Sequence, residues 1–529
     1  MRLTQFMLAA AVLTALFSCT TTDSMGNSEA EVSLNLLSTY ETGVFDESAA
    51  EIVTYDVGSG RVFFVNANDS SVQIIENTTL VGEVTFGDGA ANSVVSKNGI
   101  IAVAVEADDK QAPGQVYFID VNGNQLSSVT VGSLPDMVTL TSDGMYALVA
   151  NEGEPSDDYS VDPEGTVSII DLSGGVENLT DADVTTVKFM ESQTMGSKVR
   201  HTGPEGTTFG QDMEPEYIAV SGDDAYAYVA MQENNAIAKI DIAKAEVVFI
   251  KSLGSKDHSV EGNGLDASNK DDQPGNIKTW PVNGLYMPDA IAAYDIGGKT
   301  YIFTANEGDS REYEDGDFAY IDEDRIKDIT LDPTAFPNAA ELQDQANLGR
   351  LKILNTEGDI DGDGDYDELY SMGARSFTIW DEDLNLVWDS GDAFEKTIFA
   401  QYPETFNSSN DNLEADDRSD DKGPEPEAVV IGQVDGAYYA FIGAERFGGI
   451  FVYNVSNPKA PVFVEYVLTR NMKAAVNEDL EYDDTSYANT GDLGPEGFAF
   501  VPSSQSSTGS AMLIVGNEVS GTVNYFEVK

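Results

Sequence analysis

A short pattern returns along this chain, and it dictates a fold built of like units. An acid, usually just after proline, opens an apolar run; 16–22 residues later a second acid, often after asparagine, closes another. The clearest copies are LPDMVTL leading to LVANEGE (Asp136, Asn151, Glu152) and MPDAIAAY leading to FTANEGD (Asp289, Asn306, Glu307). Others pair Glu216 with Gln232 and Glu233, Glu427 with Glu445 and Arg446, and Glu496 with Asn517 and Glu518. A repeat that carries acids at fixed structural positions builds a ring of carboxylates, and such a ring attracts cations before anything else.

The runs between these acids are short, rich in Val, Ile, Tyr and Phe, and broken by Gly, Asp and Asn. In one unit PDMVTL reads as a strand, TSDG as a tight turn, and MYALVANE, GTVSIIDL and VTTVKF as three further strands. Four antiparallel strands repeated in tandem form the blade of a β-propeller. Two weaker units near the front, around Glu51, Asn66 and Asn68 and around Asn92 and Glu106, bring the expected count to seven blades. The last unit ends at VNYFEVK after only three strands. The early segment VSLNLLSTYETG is expected to supply the fourth, which closes the ring and removes an open sheet edge. Residues 33–529 are thus read as an all-β, seven-bladed β-propeller. Its blades need roughly 300 residues, so the remainder falls in insertions. The largest is expected at about 310–373, between the second and third strands of blade five, with a short helix at AELQDQANLGRL; another spans about 393–421. Loops of that length inside a domain usually carry function.

Asp and Glu number 92 against 28 Lys and Arg, a net charge of −64. That balance excludes nucleic acid, whose phosphates need basic surface. It fits a saline habitat, several bound divalent cations, or both. Residues 1–18 read as a lipoprotein signal peptide, in which Arg2 precedes the apolar stretch FMLAAAVLTALF. Cys19, the only cysteine, would be the lipid attachment point, and 19–32 a polar tether. A lipid anchor would be the chain's contact with a membrane, with the outer membrane or cell surface favoured because Thr20 follows Cys19.

The first strand of a blade runs down the channel wall and the second runs back up, so the two acids of each unit are expected at one mouth. This gathers Asp136, Glu152, Glu216, Glu233, Asp289, Glu307, Glu427, Glu445, Glu496 and Glu518. Crowded carboxylates repel and resist ionisation unless cations sit among them. Oxygen-only ligands favour Ca²⁺, then Mg²⁺ or Mn²⁺. With only His201 and His258 available, a histidine-rich zinc site is excluded. A separate signal lies in the large insertion: Asp359, Asp361, Asp363, Asp365 and Asp367 stand at alternate positions with Gly362 and Gly364 between them, as in calcium-binding loops, although no helix pair flanks them. Arginines are scarce, so Arg311, Arg375, Arg418 and Arg446 beside acids stand out as anchors for a phosphate or carboxylate, or as neutralisers of their neighbours.

The motifs VANEGEPSDDYSVDPEGTVSIIDL, QDMEPEYIAVSGDDAYAYVAMQENNAIAKIDI, MPDAIAAY, TANEGDSREYE and SDDKGPEPEAVVIG resemble the choice-of-anchor I family. That family includes mesenchyme-specific cell-surface glycoproteins and bacterial proteins labelled atypical alkaline phosphatases. The resemblance implies a YVTN/LVIVD-like propeller on an exported, surface-anchored protein. It also implies two functions to weigh. One is a calcium-dependent alkaline phosphatase in which the mouth carboxylates, Glu307 among them, hold cations while Arg311 and Arg446 bind the phosphoester. The other is a non-catalytic calcium-binding surface protein for adhesion, scaffolding or mineral contact.

Overall fold

The computed structural model describes residues 32–87, 89–477, 480–482 and 487–529. The expected leader, Cys19 and the tether up to residue 31 lie outside the described residues. Among those described, seven four-stranded sheets account for most of the regular structure. Their first strands are Val53–Asp56, Ala91–Lys97, Pro135–Leu140, Ile218–Val220, Ile291–Ile296, Pro426–Val434 and Pro495–Val501. Each adjoins the next, and the last adjoins the first, so the sheets form a closed ring of blades, numbered here from Val53–Asp56. In blade seven Leu34–Glu41 pairs antiparallel with Thr522–Val528, so the N-terminal strand fills the last position of the sheet.

Blade three shows how sequence becomes structure. Pro135–Leu140, Tyr146–Asn151, Thr166–Asp171 and Val184–Lys188 pair in that order. Asp143 makes the first turn: its Oδ1 accepts from Thr141 Oγ1 at 2.7 Å and from the Met145 amide at 2.9 Å. The second strand is buried along nearly its whole length because neighbouring blades cover both its faces. The outermost strand has one face in water and reads as a mixture. Seven apolar clusters lie between successive blades, each formed from two neighbouring sheets. Phe118 with Val149, and Phe303 with Phe451, are representative. The hydrophobic free energy is therefore spread around the ring instead of collected in one centre.

Blade five takes its third strand, Ser376–Asp381, only after the long insertion that follows Lys299–Asn306. The insertions have their own core, in which Trp280 and Leu265 pack with Ile326, Leu348 and Leu351. The helix expected at AELQDQANLGRL shrinks to Ala339–Leu342, because the chain then turns through residues 343–350 to seat Leu348 in that core. A nine-residue helix, Ala393–Gln401, lies in the second insertion and buries Phe394 and Ile398 against blades five and six. No helix among the described residues is long and apolar enough to cross a membrane.

Candidate functional site: an acidic axial mouth

Three local devices aim acids at the axis. First, cross-strand pairing puts the start of the first strand beside the end of the second: Pro135 opposite Asn151, Pro426 opposite Ala444, Pro495 opposite Asn517. Second, the ladder slips just after those prolines, leaving Asp136, Glu427 and Glu496 in bulges that turn their side chains out of the pleat. The residue before the proline is left-handed in four blades: Leu134 (φ 46°), Met287 (40°), Glu425 (52°) and Gly494 (67°). For leucine, methionine and glutamate this is a strained conformation, the kind that folds keep at functional sites. Third, the asparagine of the motif is a buried brace. Asn151 Nδ2 donates to Ser168 Oγ (3.0 Å), and Asn306 Nδ2 to Thr378 Oγ1 (2.7 Å), tying the second strand to the third while the next residue, a glutamate, turns inward. After Glu307 the chain must pass the end of the insertion at very close range. A Cβ on Gly373 (φ +67°) would lie 1.8 Å from the Glu307 carbonyl oxygen, so only glycine fits.

The result is a cavity of about 760 Å³ at one mouth of the ring. Nine of the ten acids of the repeat line it: Asp136, Glu152, Glu216, Asp289, Glu307, Glu427, Glu445, Glu496 and Glu518. Glu233 does not; it lines an adjoining chamber of about 530 Å³ together with Glu152 and Glu216. Tyr217, Ile52 and Met137, with Asn92 and Ser93, line a smaller pocket that shares Asp136, Asp289 and Glu496 with this cavity. Two groups of three acids each bring one oxygen apiece to within 4.8 Å of one another: Asp289, Glu307 and Glu427, and Glu51, Glu496 and Glu518. A third, Glu307, Glu425 and Glu445, overlaps the first.

Burial, followed by mutual repulsion, raises the carboxyl groups of Glu152, Glu216, Asp289, Glu427 and Glu496 well above the usual range. Burial also raises Glu445 strongly, against the pull of Arg446. Asp136 is pushed up to about 7 by burial, then by Glu106 and Glu154; Glu51 reaches about 8 through burial and Glu518. One carboxylate oxygen on each of Glu216, Glu427, Glu445 and Glu496 is buried with no hydrogen-bond donor. A buried unpartnered oxygen is costly unless something positive occupies the space before it.

Protein cations occupy one sector only. Lys422 Nζ donates to Glu307 Oε1 (2.6 Å) and sits 3.2 Å from Glu425 Oε2. Gln232 Nε2 holds the other Glu307 oxygen at 2.9 Å. Arg418 Nε donates to Glu425 Oε1 at 2.9 Å, and Arg446 Nε lies 2.9 Å from Glu445 Oε1. Burial opposes ionisation of Glu425, but Lys422, Arg418 and Arg446 outweigh it and hold that carboxyl down at about 2. Arg446 keeps about a third of its side chain exposed, at 34%.

Arg311 corrects an expectation. Its guanidinium does not face the axial cavity. It is buried in the wall, where Nε and Nη2 bond Glu214 Oε2 at 3.0 and 2.6 Å and Nη1 bonds Thr202. Nη2 also donates to the Asp212 carbonyl at 2.9 Å and Nη1 lies 3.5 Å from Asp212 Oδ1, so the guanidinium is committed to the wall and neutralises its neighbours there. Arg375 is likewise buried on Glu395 at 2.6 Å. In the insertion loop, Asp359, Asp361 and Asp367 converge within 4.8 Å, and Asp365 and Asp367 converge with Asp332; Asp363 joins neither group. The sequence pattern assigns none of Glu51, Asp309, Glu425, Lys422 and Asp332 to the mouth or the loop. Two of them carry a signal: Glu51 opens the first repeat unit, and Glu425 stands two residues before the motif acid Glu427 in PEPE.

Fold and site together define a β-propeller with a carboxylate-lined axial mouth. The choice-of-anchor I domain matches residues 46–458, and the chain belongs to that family. Gigasin-3a of Magallana gigas is 32% identical over 194 residues, covering 36% of this chain and 67% of its own length. The mesenchyme-specific cell surface glycoprotein of Strongylocentrotus purpuratus is 27% identical over 310 residues, 52% of this chain. This chain spans only 39% of that relative. Among solved structures, the WD40 domain of Toxoplasma gondii coronin superposes with a TM-score of 0.46 at 8% identity, covering 94% of this chain and 86% of its own.

Proposed function

We propose that this chain is an exported, surface-held propeller whose mouth binds divalent cations, Ca²⁺ first, and hydrolyses a phosphate ester there. The observation that carries the reading is the set of buried, donor-free oxygens on Glu216, Glu427, Glu445 and Glu496 in the same cavity as Arg446. The donors are all oxygen, which suits a hard cation. Asp289, Glu307 and Glu427 would hold one ion and Glu51, Glu496 and Glu518 another. Cations bound there would polarise a phosphoryl oxygen and acidify water. Lys422 and Gln232 fix Glu307 in place, and Arg446 presents the guanidinium that receives the phosphate. Hydrolysis joins water oxygen to phosphorus, breaks the ester P–O bond and returns a proton to the departing alcohol. Lipid attachment through Cys19, to the outer membrane or cell surface, belongs to the same proposal, as does calcium in the Asp359–Asp367 loop.

The test is metal analysis of the purified protein together with turnover of p-nitrophenyl phosphate at alkaline pH. The expected result is bound calcium, activity with Ca²⁺, loss on chelation and restoration on adding the ion back. Absence of turnover with calcium and with a panel of other divalent ions would rule out the enzyme. A second reading, a calcium-binding surface protein without turnover, is favoured by the relative named as a cell surface glycoprotein. It requires calcium uptake with no hydrolysis under any ion.

A further inference from the structure

The chamber beside the mouth differs from the mouth in a way that points to a different ligand. It holds about 530 Å³ and joins the axial cavity through the shared wall residues Glu152, Glu216, Gln232 and Asp309. Its lining is acidic, yet none of the close-set groups of three acids among the described residues contains Glu152, Glu154, Glu216, Glu233 or Asp309. Carboxylates spaced so widely suit a larger cation better than a bare divalent ion, which needs its oxygens drawn close around it. Glu233 is more than nine-tenths buried and its Oε2 has no hydrogen-bond donor; Glu216 is partly buried, and its own Oε2 is likewise enclosed without a donor. Arg311 borders the chamber but is committed to Glu214 and Asp212, and Glu233 has no ion-pair partner among the described residues. The rest of the wall is Ser310, Glu312 and one aromatic ring, Tyr313, whose hydroxyl donates to Glu154 Oε1 at 3.2 Å. Carboxylates and an aromatic ring together are the recognition chemistry of an organic ammonium group.

We infer that this chamber binds an organic ammonium group held by Glu216 and Glu233, so that the substrate is a phosphoester bearing a primary or quaternary amine. The phosphate would lie toward Arg446 and the ammonium beyond Gln232. This deepens the phosphoesterase reading and rests on it for the phosphate end alone.

The experiment separates the two ends. Calcium-loaded protein is titrated by calorimetry with ethanolamine alone, inorganic phosphate alone, O-phosphoethanolamine, and 2-hydroxyethyl phosphate, its neutral-tailed counterpart. O-phosphoethanolamine should bind at least tenfold tighter than 2-hydroxyethyl phosphate. In Glu233→Gln that ratio should fall to within about twofold of unity, and ethanolamine binding should vanish. Thermal melting confirms folding, and Glu154→Ala, which removes the acceptor of the Tyr313 hydroxyl, serves as a second variant with a smaller loss of ratio. Equal binding of the two esters by the native chain would overturn the inference. So would a ratio untouched by Glu233→Gln, or one bound metal fewer in that variant, which would make the chamber a metal site. Ethanolamine binding without phosphate binding would keep the chamber and sink the phosphoesterase instead.

Discussion

Chelating the divalent cations should make the protein lose stability steadily between about pH 5 and pH 8, and millimolar Ca²⁺ should abolish that loss. The cause is burial, which raises the carboxyl groups of the mouth. Asp136 at about 7 and Glu51 at about 8 stand far above the ordinary carboxylate range near 4. Between the ordinary and raised values the folded chain keeps protons that the unfolded chain has released. A fold that binds more protons than its unfolded state is destabilised by rising pH. Its advantage is therefore complete below about pH 4 and gone once pH passes 7 for Asp136 and 8 for Glu51. A tenfold change in proton activity is worth about 1.4 kcal/mol per group. Asp136 then loses about 3 kcal/mol and Glu51 about 4 kcal/mol over this window, before Glu152, Glu216, Asp289, Glu427, Glu445 and Glu496 add their share. With an unfolding entropy of about 2 cal/mol/K per residue, a chain of this size should melt roughly 5 °C lower or more at pH 8 than at pH 5.

Two other contributions can be set aside. Surface acids are ionised by about pH 5.5 in both states and add little slope. His258, held neutral by burial with a value near 3, works in the opposite sense below its ordinary 6.5, so the stretch from 6.5 to 8 is cleanest. Calcium at a hundred times its dissociation constant adds about 2.7 kcal/mol per site and keeps the carboxylates ionised. The assay is calorimetric melting at half-unit pH steps, in chelator and in calcium. A melting temperature for the chelated protein that is flat or rising from pH 6.5 to 8 would refute the reasoning, because the mouth acids would then already be neutralised by something else.

Three further outcomes follow from the same geometry. Arg311→Ala should cost about 3–5 kcal/mol, seen as a lower denaturation midpoint, since it strands Glu214 and Asp212 in the wall; a change below 1 kcal/mol would show that this pair is not buried. Gly373→Ala should cost more than 2 kcal/mol and weaken calcium binding, because its methyl group would collide with the Glu307 backbone; melting and calcium titration read the two effects. Asp367→Asn should lower the terbium affinity of the insertion loop at least tenfold, read through luminescence sensitised by the neighbouring Tyr366, because Asp367 alone belongs to both of the loop's carboxylate groups.

The repeat made the ring legible because strand direction in a blade is fixed. Once a proline–acid pair starts the first strand and an acid follows the second, both acids must lie at the same end, whatever the loops do. That logic reaches the nine acids of the cavity but not the bulges, which decide how far each side chain turns. Nor does it reach partners brought by insertions. Asp332 meets Asp365 only because residues 329–336 fold into the insertion core, and Lys422 reaches Glu307 across 115 positions of chain. Arg311 shows the opposite failure. It stands four residues from Glu307 in sequence, yet Glu214, 97 positions away, decides where its guanidinium points. Adjacency in sequence places a backbone at the mouth; only packing says whether the side chain faces the cavity or the wall.

The placement of positive charge sets an order of events. Arg446 is the exposed guanidinium of the mouth, but it already faces Glu445 at 2.9 Å and Glu425 at 3.5 Å. Lys422 is bound to Glu307 and Glu425, and Arg418 to Glu425. At a pH high enough to ionise the remaining mouth carboxylates the local field is negative, and a phosphate would be repelled by several groups for each one that attracts it. An anion can therefore settle beside Arg446 only after cations have entered among Asp289, Glu307, Glu427, Glu496 and Glu518. At that alkaline pH phosphate affinity should accordingly be absent from chelated protein and appear in step with calcium occupancy. By reciprocity, phosphate should tighten calcium by the same factor. Phosphate binding of equal strength with and without calcium would mean that Arg446, Arg418 and Lys422 suffice alone, and the acids of the ring would then need another explanation.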